Sequence, residues 1–218
     1  MKIIAEKDRS FIDKGKTKLY SSFTGSDEPG SLHSIQKIVI QPEGKEKIER
    51  KEGLDYILII LSGTIEINGT SIKKDLILCD AAPVIGKESL KLTLKNKEEI
   101  DGELLLISVK NKHKNILHRE IPVSYEIPLV SHYAENSTAS KENVILISKK
   151  FYQPKDIFNY TSTVSNKTLC LYMISGEADI NGYKMLYNDT AIFTPADDQI
   201  ILAYFNKNTE ILFIEIPL

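Results

Sequence analysis

The chain has 218 residues, 42% of them hydrophobic and 27% charged. That is enough for one large domain or two of about 100 residues, each with its own core, and it excludes a disordered chain. The formal net charge of -2 gives no bulk attraction to nucleic acid or to anionic lipid.

The first residues, Met-Lys-Ile-Ile-Ala-Glu-Lys-Asp-Arg, lack the apolar stretch of a secretory signal. The longest apolar run, Tyr56 to Leu61, is too short to cross a bilayer as a helix. A cytoplasmic protein with no membrane partner is therefore expected. In chain order, short apolar segments bounded by Gly, Pro, Asn or Asp predict strands at Ile35–Ile40, Tyr56–Leu61, Leu76–Cys79, Leu104–Val109 and Val144–Ile147. They continue at Leu169–Ile174, Ala191–Phe193, Ile200–Phe205 and Ile211–Ile216. Thr64-Ile65-Glu66-Ile67-Asn68 and Glu177-Ala178-Asp179-Ile180-Asn181 alternate polar and apolar residues, as half-buried strands do. No long amphipathic helix is evident, so the fold class is all-β, a sandwich or barrel. Cys79 and Cys170 sit in strand-like segments and read as reduced core thiols.

Residues 62–69 read Ser-Gly-Thr-Ile-Glu-Ile-Asn-Gly, and residues 175–182 read Ser-Gly-Glu-Ala-Asp-Ile-Asn-Gly. An apolar strand precedes each copy. An acidic residue, Asp75 or Asp189, a further strand and a proline, Pro83 or Pro195, follow it. Ser-Gly permits a tight reversal, and Asn-Gly is a two-residue hairpin signal because both positions tolerate positive φ. The shared order indicates an internal duplication. Lys110–Ser131, polar and carrying Pro122 and Pro128, reads as the linker, and Ala134–Asn143 as a loop. The halves are placed at about 1–120 and 121–218.

A strand, a Gly turn, a strand and an acidic residue before the next strand form the core of a cupin barrel, and two such units in one chain resemble a bicupin. The nearest resemblance is to the pirin family, and it spans nearly the whole chain. Asp8-Arg9-Ser10 through Ser22-Phe23 resembles the family's opening segment. Leu61-Ser62-Gly63-Thr64 resembles its Leu-Glu-Gly-Thr, and Glu210–Pro217 its closing strand. The resemblance implies two tandem cupin (double-stranded β-helix, or jelly-roll) barrels. It also implies a divalent metal held in the first barrel by His-Pro-His and a later His-x-Glu. Members act as quercetin 2,3-dioxygenases or, in animals, as a transcriptional cofactor.

This sequence departs from the family at those ligands. Counting from Leu61-Ser62-Gly63-Thr64 and to Cys79–Pro83, the tetrad positions carry Glu49, Lys51, Gly86 and Glu88. An ammonium about 4 Å from a divalent ion is repelled by roughly 8 kcal/mol at an effective dielectric of 20. Two carboxylates and a glycine make a poor iron site. The expectation is a degenerate site with no metal, in which Lys51 pairs with Glu49 and Glu88. The alternative is a rebuilt site holding Fe, Ni, Mn or Zn in a divergent, quercetinase-like dioxygenase that uses Glu88. A third reading is an interaction module acting through protein partners.

His33, His113, His118 and His132 form no His-x-His pair, though His33, just before Ile35–Ile40, lies within reach of a barrel mouth. In the second half, Tyr183, Tyr187, Phe193 and Tyr204 read as core or hairpin packing rather than a binding cage. The expected ligand is a small molecule or a protein, bound by a monomer or homodimer without nucleic-acid contact. Whether the protein is an enzyme stays open at this level.

Overall fold

In the computed structural model, residues 2–24, 32–51, 53–74, 76–80, 91–110, 119–122, 145–161, 167–194 and 200–217 are described. Among them are twenty strands and one 3-10 turn, Glu6–Asp8. No described helix is long and apolar enough to cross a membrane. The chain divides into two units, Arg9–Pro122, and Met1–Asp8 with Val123–Leu218.

The chain opens with β1 (Lys2–Ile4), which belongs to the second unit. The first unit comprises β2 (Ser10–Asp13), β3 (Thr17–Thr24), β4 (Leu32–Ile40), β5 (Lys45–Glu49), β6 (Leu54–Ser62), β7 (Thr64–Ile67), β8 (Thr70–Lys73), β9 (Leu76–Asp80), β10 (Lys91–Asn96), β11 (Gly102–Lys110) and β12 (Arg119–Pro122). They form an antiparallel sheet ordered β12-β9-β6-β11-β4-β3-β2 and a smaller one ordered β5-β10-β7-β8. The second unit continues with β13 (Leu146–Tyr152), β14 (Ile157–Thr161), β15 (Lys167–Ser175), β16 (Glu177–Ile180), β17 (Tyr183–Leu186), β18 (Thr190–Phe193), β19 (Ile200–Phe205) and β20 (Thr209–Pro217). Its sheets are ordered β1-β18-β15-β20-β13 and β14-β19-β16-β17.

The two orders superimpose strand for strand: β4 to β11 repeat as β13 to β20. Each set of eight makes the two facing sheets of a jelly-roll barrel, as the duplication and the all-β reading anticipate. One extra strand lies beside β9 in the first unit and beside β18 in the second. It is β12 in one case and β1 in the other. The stretch read as a linker thus contains an edge strand, with Pro122 at its last position, where a missing N–H does least harm.

Each barrel is filled by inward side chains. The first is aliphatic, with Ile38, Ile40, Leu58, Ile60, Ile65, Ile67, Leu92, Leu94, Leu104 and Leu106 among its core. The second takes Met173, Met185, Phe193, Phe205 and Phe213. Each such side chain contributes about 1.5–3 kcal/mol on burial.

The repeated motif builds the same corner twice. Leu61 has no opposite residue on β11, because Glu103 pairs with Ser62 and Leu104 with Ile60. Ile174 is skipped in the same way between β15 and β20. After each bulge, a glycine at positive φ (Gly63, 71°; Gly176, 85°) takes the chain from the larger sheet into the smaller. Asn68-Gly69 and Asn181-Gly182 follow, all four at positive φ. The Asn68 side chain accepts from the Thr93 N–H at 2.9 Å, and Asn181 accepts from Leu202 at 2.8 Å. Each hairpin is thereby clamped to the neighbouring strand.

A buried ion pair also recurs. Lys37 binds Glu103 at 2.9 Å, and Lys149 binds Glu210 at 2.8 Å. Each glutamate lies two residues before the lysine's cross-strand partner, Leu105 or Leu212. The opening residues are fastened to the second unit by hydrogen bonds. The Glu6 N–H donates to Asp189 at 2.8 Å, and Asn188 donates to the Glu6 carboxylate at 2.7 Å.

Two glycines at nearly equal φ separate strain from crowding. A Cβ on Gly176 would lie 2.6 Å from the Thr209 Cα, whereas one on Gly182 would meet nothing within 4 Å. Gly176→Ala is expected to lower stability by at least about 3 kcal/mol and Gly182→Ala by about 1 kcal/mol, read by urea unfolding. Acid should also weaken the fold. Glu66 is held below the ordinary carboxylate pKa of 4.5 by its hydrogen bond to Lys97 first and by Lys95 as well. Glu177 is held below it by hydrogen bonds to Lys184 and then Lys207. A depressed folded pKa contributes stability that is present above 4.5 and is lost as pH falls through the folded value. The urea midpoint should therefore fall below pH 4.5, and fall less steeply in the Glu66→Gln, Glu177→Gln double variant.

Candidate functional site

The end of the first barrel where β5 turns into β6 also receives the start of β4 and the end of β11. Val109 faces Leu32 on β4 and Asp55 on β6, and Lys110 faces Leu54. Ser108 pairs with Ser34 and Val109 with Leu32, so His33 is the extra residue of a bulge. A bulge re-aims a side chain and loosens the ladder locally, which is why bulges gather beside functional sites. Beside it, the Ser34 and Ser108 hydroxyls share a buried hydrogen bond.

Lys51 lies in the turn between β5 and β6. Its N–H donates to the Tyr56 hydroxyl at 2.8 Å, and its carbonyl accepts from the Leu54 N–H at 3.3 Å. Tyr56 belongs to the barrel core. The turn is thus pinned to the interior, while the Lys51 side chain is exposed. Partial burial, and then the charges of Lys51 and Lys110, hold the His33 imidazole below its ordinary pKa of 6.5. The mouth therefore gathers two ammoniums around an imidazole biased to its neutral form.

Glu49 ends β5 and is exposed, in step with Lys45 and Lys47. Glu46 and Ile48 alternate with them on the less exposed side. Its cross-strand neighbour is Lys91. Among the described residues no ion pair joins Lys51 to Glu49, because Glu49 lies on the outer face of its strand and Lys51 is past its end. Gly86 and Glu88 lie outside the described residues, as do His113, His118 and His132. Among the described residues no three His, Cys, Asp or Glu side chains come together as a metal would need. The described part of the expected tetrad, an outward carboxylate and an ammonium, does not fit a transition metal, whose sites gather imidazole, thiolate or inward carboxylate donors.

Elsewhere, Cys170 is a reduced thiol, fully buried in β15. Phe193 is core, but Tyr183, Tyr187 and Tyr204 are 58%, 46% and 45% exposed. These three tyrosines are therefore not core packing. Tyr152, Phe158 and Tyr160 are partly buried and pack against the core of the second barrel. They accompany Lys150, Lys167 and Glu215, a grouping that no sequence motif marks because its members come from four strands.

No protein-family model matches the sequence, and comparison with curated proteins finds no relative. Solved structures do match. YhhW from Escherichia coli superimposes with a TM-score of 0.75 at 15% identity, over 99% of this chain and 97% of that one. The bacterial pirin YhhW in complex with nickel(II), also from Escherichia coli, gives 0.75 at 14% identity, over 99% and 98%. Quercetin 2,3-dioxygenase from Acinetobacter baumannii gives 0.68 at 11% identity, over 100% and 86%. The chain has the pirin-like bicupin fold, two tandem jelly-roll barrels. At these identities the likeness is one of fold.

Removing the Lys51 charge should raise the His33 pKa toward 6.5, and Lys110→Ala should raise it by less. Titration of the His33 ring protons by NMR in Lys51→Ala and Lys110→Ala checks both the size and the order of the effects.

Proposed function

We propose that this chain is a pirin-like bicupin whose first barrel no longer holds the family metal. In its place the barrel mouth receives a small molecule that carries negative charge. One observation carries the reading: Lys51, which the count from Leu61-Ser62-Gly63-Thr64 puts at a family ligand position, shares the mouth with Lys110 and with the bulged His33, whose imidazole feels both charges. Two ammoniums repel a divalent cation and attract an anion. An aliphatic barrel below a charged rim suits a ligand with an apolar body and an acidic end.

A second reading has one observation in its favour. A His33 biased to the neutral form keeps a lone pair for coordination. With Glu88 it would offer two donors to a rebuilt site, and the similarity in fold to a quercetin 2,3-dioxygenase makes oxygenase chemistry the natural alternative. A protein partner docking on the same rim is the remaining occupant.

Metal analysis of the untagged protein after a brief wash with a weak chelator separates the two main readings. Metal well below one equivalent is expected, together with an oxalate-induced rise in the His33 pKa that Lys51→Ala abolishes. Stoichiometric iron, nickel, manganese or zinc would sink the proposal. Metal-dependent quercetin turnover that disappears in Glu88→Ala would establish the alternative.

A further inference from the structure

The interior of the second barrel carries ammoniums among aromatic rings where the core of the first is mainly aliphatic. Lys150 on β13 places its Nζ 5.2 Å from the Phe158 ring centroid and 5.0 Å from that of Phe213. Phe158 stands on the smaller sheet and Phe213 on the larger. Their rings meet edge to face at 5.1 Å across the barrel. The ammonium is therefore inside, against residues of the core. Among the described residues no carboxylate pairs with it.

One step along the same strands lies a second bridge. Tyr160, two residues after Phe158, hydrogen-bonds Glu215, two residues after Phe213. Lys167 on β15 approaches the same carboxylate at 3.5 Å with its side chain 8% exposed. Burial, and then Glu215, push the Tyr160 hydroxyl up to about 12, so it stays protonated and donates. Among the described residues the charge count at this end is two ammoniums against one carboxylate. Cation–π contacts attract an ammonium to a ring but leave its charge uncancelled. A half-buried surplus cation favours an anionic guest.

We propose that this end of the second barrel binds a small aromatic carboxylate. Its carboxylate sits between Lys150 and Lys167, and its ring lies against Phe158 and Tyr160. Two features select this class. The single surplus positive charge among the described residues matches a monoanion, and the aromatic lining of β14 and β20 matches a flat, apolar body. Glu215 fixes the polarity of the site by taking one hydrogen bond from Tyr160 and one contact from Lys167. It also excludes dianions, which would meet its charge. This inference is independent of the proposal for the first barrel, which concerns other residues.

The test uses the full chain with benzoate as the probe and benzamide as its neutral counterpart. Benzoate should bind at one per chain by calorimetry, and benzamide at least tenfold more weakly. Lys150→Met should lose at least tenfold in benzoate affinity, and Lys150→Arg, which keeps the charge over both rings, should stay within about threefold. Equal affinity for the two probes, undiminished benzoate binding by Lys150→Met, or no benzoate binding at millimolar concentration would overturn the proposal. Should Lys150→Met not fold, wild-type NMR decides. Benzoate is expected to shift the ring signals of Phe158, Tyr160 and Phe213, and shifts confined to first-barrel signals such as those of Tyr56 would overturn the assignment.

Discussion

The structure depends on one corner, made twice. At Leu61-Ser62-Gly63 and again at Ile174-Ser175-Gly176, a central strand gains an unpaired residue and then a glycine at positive φ. The strand leaves one sheet and its continuation enters the other. Without that turn β6 and β7, or β15 and β16, would extend as one ribbon, and the two sheets of each barrel would not face each other. An L-residue with a side chain pays roughly 1–2 kcal/mol for such a φ, and at Gly176 the backbone of Thr209 leaves no room for a Cβ. The barrel interiors are apolar because this corner folds one apolar strand face onto another.

Once the corners are set, the two barrels are free to differ at their ends. In the first, the core is mainly isoleucine and leucine, and Lys51 and Lys110 stand at the rim. In the second, charge enters the lining itself through Lys150, Lys167 and Glu215, held among rings. The same eight-strand frame thus supports two chemically distinct mouths. Duplication preserved what the backbone requires, the bulge, the glycine and the Asn-Gly hairpin, while the side chains at the ends diverged.

That division also explains what was legible in the sequence. The corners and hairpins announce themselves because φ constraints act on one or two adjacent residues, so Ser-Gly and Asn-Gly can be recognised in isolation. The apolar central strands were visible for the same local reason. β5 was not, because Lys-Glu-Lys-Ile-Glu has one apolar residue, and its inward Glu46 is satisfied by Lys14, from the turn between β2 and β3, at 2.6 Å. β1 was missed because three residues carry little pattern and its partner lies at the far end of the chain. Lys51 could be singled out by counting from a motif. The bulge at His33 could not, since a bulge is a property of the register between β4 and β11. Tyr183, Tyr187 and Tyr204, read as core or hairpin packing, are exposed and so not core, and the aromatic lining came from strands whose alternation the intervening charges obscured.

The pairing of β1 with β18 sets an order of events during synthesis. β1 leaves the ribosome before the other described strands, yet the strand that receives it begins only at Thr190. At about 5–20 residues per second, the interval is on the order of ten to forty seconds, long enough for the residues of the first barrel to emerge and fold. Throughout that time Lys2–Ile4 has no edge to join, and the second barrel lacks its outermost strand. A nascent chain stalled before residue 190 therefore carries its own missing strand at the opposite end, already made and waiting.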